Sequence, residues 1–167
     1  LWQDGTPVTC ADVAYGISRT FATTTLPGGS TDALAVLAIP RQPDGPSTYA
    51  GPFATGAAAQ AGQAAFDKAV SCAGQTITFT LSTPLSDFNE LVSQPAFGPV
   101  KKSEDRAAEG VYDVFSAGPY MLEDAWVPGT GGTFVRNPNW SRATDPVRRA
   151  HPDRITYHEG LDTPAAT

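Results

Sequence analysis

Sixteen glycines and fifteen prolines punctuate a chain of 167 residues. Glycine weakens helix and strand interiors, and proline lacks the amide that both hydrogen-bond ladders use. Elements must therefore be short and joined by many turns. The rest of the composition is globular, at 41% hydrophobic and 10% aromatic. The length is that of about one domain and can bury roughly two-thirds of its unfolded surface.

The periodicities that survive this punctuation define an α+β chain. Thr76 to Leu81 alternates strictly, which predicts a half-buried strand with Ile77, Phe79 and Leu81 inward. Asp4-Gly5-Thr6-Pro7 reads as a turn, and Thr9 as the cap of a helix over 10–22 whose stripe is Val13, Ile17 and Phe21. Pro27-Gly28-Gly29-Ser30 ends it, and Asp32 opens a shorter helix carrying Leu34, Leu37 and Ile39. Positions 40–56 read as a long surface loop holding two isolated aromatics, Tyr49 and Phe53. Ala57 to Val70 reads as an Ala/Gln-rich helix buried through Phe66 and Val70. Pro84 is expected to open a further helix, with Leu85, Phe88, Leu91 and Val92 as its core face. A loop follows through Pro95 to Val100. Tyr120 to Trp126 and Thr133 to Arg136 read as a hairpin around Gly129 to Gly132. Trp2 reads as a strand end, and Ile155 to His158 as a strand whose continuation runs toward Thr167. The expected architecture is a small antiparallel sheet of three or four strands with helices packed on one face.

Charge and motifs exclude several functions. A net charge of −6 with no Lys/Arg stripe lacks the footprint of a nucleic-acid binder. No stretch approaches the roughly 18 apolar residues of a membrane span. Leu1 to Gly5 has no leader-peptide character and reads as the inside of a domain, so the chain is expected to be cut from something longer. Gly129-Thr130-Gly131-Gly132 lacks the Gly-Lys-Ser/Thr ending of a phosphate loop and reads as a hairpin turn. His151 and His158, near Asp153 and Glu159, have the spacing of opposite strand faces and no convergent third ligand. Carboxylates such as Asp87, Glu90, Asp113 and Glu123 are scattered among polar neighbours, and no nucleophile elbow is present. No metal or cofactor is implied. Tyr49, Phe53, Phe97, Tyr112, Tyr120, Trp126 and Trp140 read mainly as caps over the core, with a ligand-facing wall as the minor reading. Cys10 and Cys72 are either two buried free thiols or one disulfide. The disulfide would imply an oxidising compartment and stabilise by roughly 4 kcal/mol through the long loop it closes.

Five landmarks, taken in order, resemble the dipeptide/oligopeptide-binding proteins of ABC importers, family 5 of the extracellular solute-binding proteins. The stretch from Trp2 through Asp4-Gly5, Pro7, Thr9 and Asp12-Val13 to Phe21 is similar to its signature block. Thr76 to Pro84 is similar to its strand and Pro-initiated helix, and Ser116-Ala117-Gly118-Pro119-Tyr120 to its G-T/A-G-P-Y motif. Phe134 to Trp140 is similar to its R-N-P-x-W/Y block, and Asp153-Arg154-Ile155 to the strand beyond. The order Pro99-Val100-Lys101 departs from the family's Val-Pro-Lys, and Trp140-Ser141 from its aromatic doublet. The latter points to an Ala- and Arg-rich subgroup in which paired cysteines at these two places are familiar, which favours the Cys10–Cys72 bridge.

The resemblance implies a subdomain of a type II periplasmic-binding-protein-like fold, inserted in the first of two lobes that close on a solute. It implies an extracytoplasmic, lipid-anchored, non-catalytic receptor that delivers peptides or similar solutes to an ABC permease. The solute would be bound only together with the missing lobe. Gln94, Pro95 and Phe97, with Tyr120, are the ligand-facing residues expected from loops at strand ends. The alternative is a stand-alone secreted interaction module, or an enzyme lobe on the same fold.

Overall fold

A computed structural model describes residues 1–43 and 45–160. The chain divides into two compact units, Thr9–Ala108 and a second made of Leu1–Val8 with Glu109–Thr167. The expected continuation of the last strand beyond position 160 lies outside the described residues.

In Thr9–Ala108 the first helix, α1 (Cys10–Thr20), starts as its sequence dictates. Thr9 Oγ1 accepts from the Asp12 amide at 3.3 Å, and Asp12 Oδ2 accepts from the Thr9 amide at 2.7 Å. This reciprocal box satisfies two amides that a helix start would otherwise leave open. α2 (Asp32–Val36) begins after Thr31 rather than on an Asp32 cap, and Leu37 is already extended. α3 (Ala57–Ala69) runs directly into β1 (Val70–Ala73), which turns at Gly74 (φ +59°) and pairs antiparallel with β2 (Thr76–Phe79). β1 buries only Val70, so it carries no alternation that a sequence reading can detect.

The core of this unit is aromatic. Ile17 is fully buried beside Phe21, Tyr49 and Phe66, whose ring centroids lie 4.7–5.9 Å apart. The 40–56 segment holds no helix or strand among its described residues, yet it delivers Tyr49 into this cluster at 2% exposure. A second trio, Phe79, Phe88 and Phe97, packs edge to face at 5.3–6.1 Å. That trio sets the start of α4 (Phe88–Leu91): the helix begins where Phe88 meets its partners and not at Pro84, and Leu85 stays outside at 36% exposure. Gly16 lets α1 approach the 95–98 turn, since a Cβ there would lie 2.0 Å from the Gly98 carbonyl oxygen.

Cys10 and Cys72 are joined by a disulfide, Cα to Cα 5.9 Å, which ties the start of α1 to β1 across 62 residues of sequence. Of the two readings open from the sequence, the structure holds the bridge.

The second unit is a three-stranded antiparallel sheet, β3 (Tyr120–Leu122), β4 (Gly131–Arg136) and β5 (Arg154–His158), in the order β3-β4-β5. The strands therefore fall into two small sheets in separate units rather than one, and the α+β class stands. β3 stops at Leu122, short of the expected Trp126, whose indole instead lies over the sheet. Its centroid is 5.4 Å from Tyr157 and 6.2 Å from Phe134, above Gly132, where a Cβ would come within 2.8 Å of it. Trp2 is no strand end: it sits in a turn, 2% exposed, with its ring against Phe115.

A buried amide holds the rest together. Asn137, 3% exposed, donates from Nδ2 to the Gly118 carbonyl at 2.9 Å and accepts at Oδ1 from the Asn139 amide at 2.9 Å. Its own amide donates to the Pro119 carbonyl at 2.9 Å. Asn139 Nδ2 reaches the Gln3 carbonyl at 2.9 Å, and Gln3 exchanges hydrogen bonds with the Ser116 backbone. Replacing Asn137 by Ala leaves buried backbone groups unpaired, with an expected loss of about 2–4 kcal/mol in denaturant unfolding. A change below about 0.5 kcal/mol would contradict this role. Unfolded, unreduced protein is expected to show no free thiol, and the double variant Cys10→Ser/Cys72→Ser to lose about 2–4 kcal/mol; two titratable thiols would refute the bridge.

Candidate functional site

The four residues expected to face a solute fall into two places. Gln94, Pro95 and Phe97 follow α4 in one tight path. The Gln94 amide donates to the Leu91 carbonyl at 3.0 Å, and the Phe97 amide to the Gln94 carbonyl at 3.0 Å. Pro95 begins the short 3-10 turn Pro95–Phe97, where its missing N–H costs nothing. Phe97 is turned inward, 5% exposed, between Phe79 and Phe88. Its ring is an anchor for the turn, and Gln94 and Pro95 are left exposed on the outer side.

Gln94 lines an open depression of about 330 Å³ with Leu85, Leu91, Asp32, Asp87 and Glu90. The sequence showed Asp87 and Glu90 only as scattered carboxylates, and Asp32 only as a helix start. Their grouping around Gln94 comes from the packing of α2 against the 95–97 turn. No spacing signal in the sequence carries it.

Tyr120, the fourth residue, belongs to the second unit. It is half-buried at the start of β3, opposite Arg136, and its hydroxyl donates to the Pro152 carbonyl at 2.8 Å. Arg136 in turn pairs with Asp153 at 2.9 Å and donates to the His151 carbonyl at 3.1 Å. Tyr120 and Arg136 together pin the approach to β5. Trp140 is likewise engaged, its Nε1 donating to Asp145 at 3.0 Å.

Of the other candidates, the glycines take up a structural role. Gly131 and Gly132 begin β4, and Gly129 (φ +80°) forms the hairpin turn, its amide donating to Glu159 at 2.7 Å. His151 precedes β5 while His158 ends it, and no group of three potential ligands is placed to hold a metal among the described residues. Tyr112 is exposed, at 51%.

The resolved shifts in acidity run away from neutrality. Burial, with a hydrogen bond to Asp105, raises Tyr15 far above its ordinary value. Burial pushes Tyr49 up to about 12. The hydrogen bonds from Arg154 hold Glu123 low, and the Arg148 backbone amide, with Trp140 and the Arg148 side chain, holds Asp145 low. Around Gln94 the surface presents amide, carboxylate and apolar groups.

Comparison with known proteins fits this picture. Residues 1–167 match the family described as bacterial extracellular solute-binding proteins, family 5 Middle. A solved protein named Clavulanic acid biosynthesis oligopeptide binding protein 2 is 37% identical, with a TM-score of 0.78 over 97% of this chain and 27% of its own. The murein tripeptide binding protein MppA of Escherichia coli shares the fold, at 24% identity and a TM-score of 0.60, over 95% of this chain and 28% of its own. The chain thus spans about a quarter of the length of these solved relatives. No curated protein matches.

Glu123 and Asp145 have folded acidities below their ordinary values of 4.5 and 3.8. Their stabilisation is therefore complete above those values and lost as pH falls through the lower folded ones. Melting temperature is expected to be flat from about pH 8 to pH 5 and to drop below that, with a shallower drop in Glu123→Gln. An acid limb identical in that variant would remove the ion pair from the account.

Proposed function

Because the chain belongs to family 5 of the bacterial extracellular solute-binding proteins, we propose that it is the first-lobe subdomain of a receptor delivering peptides or similar solutes to an ABC permease. In this reading the receptor is lipid-anchored on the outer face of the membrane. Two lobes close on the solute, each contributing part of the wall. The observation that carries the reading is the whole-chain match to the family's middle portion. It agrees with a neighbour that aligns over 97% of this chain but 27% of its own.

Within the subdomain, Gln94 and Pro95 are the residues offered to the solute. Phe97 holds their turn from beneath, and Tyr120 orders the start of β3. The carboxylates of Asp32, Asp87 and Glu90 beside Gln94 favour solutes without excess negative charge. β5 exposes Ile155 at 40% and Tyr157 at 56%, a surface the reading assigns to contact with the remainder of the receptor. The disulfide suits an oxidising, extracytoplasmic compartment. An enzyme lobe would call for convergent titratable groups with shifted acidities in a pocket, and a stand-alone module for closed, complete sheet edges at both termini.

Thermal-shift screening of a longer receptor containing this sequence, beside the 167-residue chain, tests the reading. At about 100 μM solute the longer protein is expected to gain several degrees, following RT ln(1 + [L]/Kd), and the short chain less than about 1 °C. Gln94→Ala in the longer protein is expected to weaken binding at least about threefold. Equal stabilisation of both proteins, or none of either by any peptide, overturns it.

A further inference from the structure

A groove of about 570 Å³ lies between α1 and α3, inside Thr9–Ala108 and on residues other than Gln94. Its size falls within the roughly 300–1,000 Å³ usual for small-ligand clefts. Each helix gives it one stripe at i, i+3, i+4 and i+7. α1 contributes Ala11, Ala14, Tyr15 and Ser18, and α3 contributes Gln63, Phe66 and Asp67 with Val70 just beyond. Alanines on one side make a furrow, and buried Phe66 and Tyr49 give it an apolar floor.

Two opposite charges line this furrow without neutralising each other. Lys102 Nζ stands 5.6 Å from the Tyr15 ring centroid, and Asp67 Oδ1 accepts from Gln63 Nε2 at 2.8 Å. Among the described residues neither has an ion-pair partner. Both are held in place. The Tyr15 hydroxyl donates to Asp105 at 2.7 Å, and Asp105 is held by Arg19, whose Nη2 donates at 3.1 Å while Nε approaches at 2.7 Å without hydrogen-bond geometry. On the other wall, Tyr49 donates to Gln63 Oε1 at 3.1 Å, which orients the Gln63 amide toward Asp67. The Tyr49 phenol, pushed up to about 12 chiefly by burial, remains a donor at physiological pH.

We propose that this groove binds a free zwitterionic amino acid with an apolar side chain. The ammonium lies at Asp67, the carboxylate at Lys102, and the side chain over Phe66 and Ala14. A dianion would be repelled by Asp67 and a dication by Lys102, so the pair selects for one charge of each sign. The site is shallow and built from two charges, which sets its affinity on the order of 1 mM. It does not depend on the transport reading.

The test is an amide-resolved NMR titration of the 167-residue chain with L-phenylalanine. N-acetylphenylalanine and phenylalaninamide serve as arms that each lack one charge. Saturable shifts are expected on α1, α3 and around Tyr49 and Lys102. Each single-charge analogue, and each of Lys102→Gln and Asp67→Asn, should raise the apparent Kd about tenfold. Ala14→Leu, which fills the furrow, should abolish the shifts, and Lys68→Gln, elsewhere on α3, should leave them unchanged. Spectra outside the groove report that each variant is folded. No saturable shift up to about 20 mM, equal binding of the analogues, or shifts confined to β3–β5 would overturn the proposal. Thermal stabilisation of the longer receptor could still hold in that event, so the two readings fail separately.

Discussion

The side-chain amide of Asn137 is the interaction on which the sheet unit depends. That unit has little apolar interior: every residue of β5 is exposed, and among the described residues Trp2 is its one large side chain that is almost completely buried. Turns therefore have to be held by hydrogen bonds, and a buried carbonyl or amide left open costs about as much as several methylene groups. Asn137 can donate and accept at once, which lets one residue tie Gly118, Pro119 and Asn139 together. Through Asn139 and Ser116 the same network reaches Gln3. The blocks around Trp2, Ser116–Tyr120 and Arg136–Trp140, which make the chain resemble its family, are thus joined by a polar knot. They are signatures of a scaffold.

Thr9–Ala108 is built on a different economy. Aromatic rings supplied by the residue capping α1, by α3, β2 and α4 and by two irregular segments make its core, and a disulfide ties α1 to the β1–β2 hairpin. Irregular segments can be rigid when one large side chain is anchored. Tyr49 does this for the 40–56 segment, and Phe97 for the turn after α4. In each case the anchor goes inward and its polar neighbours are left outside. Loops displayed on a rigid scaffold are where recognition is concentrated, and both Gln94 and the rim of the α1–α3 groove have this origin.

Charge follows the same logic. The carboxylates near Gln94, and the Asp67 and Lys102 pair, lie at the surface, where water lowers the cost of leaving them without an opposite charge. Asp105, with its side chain 3% exposed, is instead paired and hydrogen-bonded on both oxygens. Burial requires pairing, and exposure permits a charge to stand without one.

The sequence by itself determined the local pieces. The Thr9 cap, the strand at Thr76, the hairpin around Gly129 and the α+β class depend on neighbours within a few residues, where capping and period-2 alternation leave a legible pattern. The family resemblance was legible too, because turn-forming and hydrogen-bonding residues such as Gly118, Pro119 and Asn137 cannot be exchanged freely. Tertiary structure alone decided that β1 exists, that Pro84 opens no helix, that the strands form two sheets, and that Phe97 and Tyr49 point inward. It alone brought Asp32 beside Gln94 and set Asp67 and Lys102 along one groove. Those outcomes depend on which rings meet across long stretches of chain, and a ring's partner leaves no mark on the residues next to it.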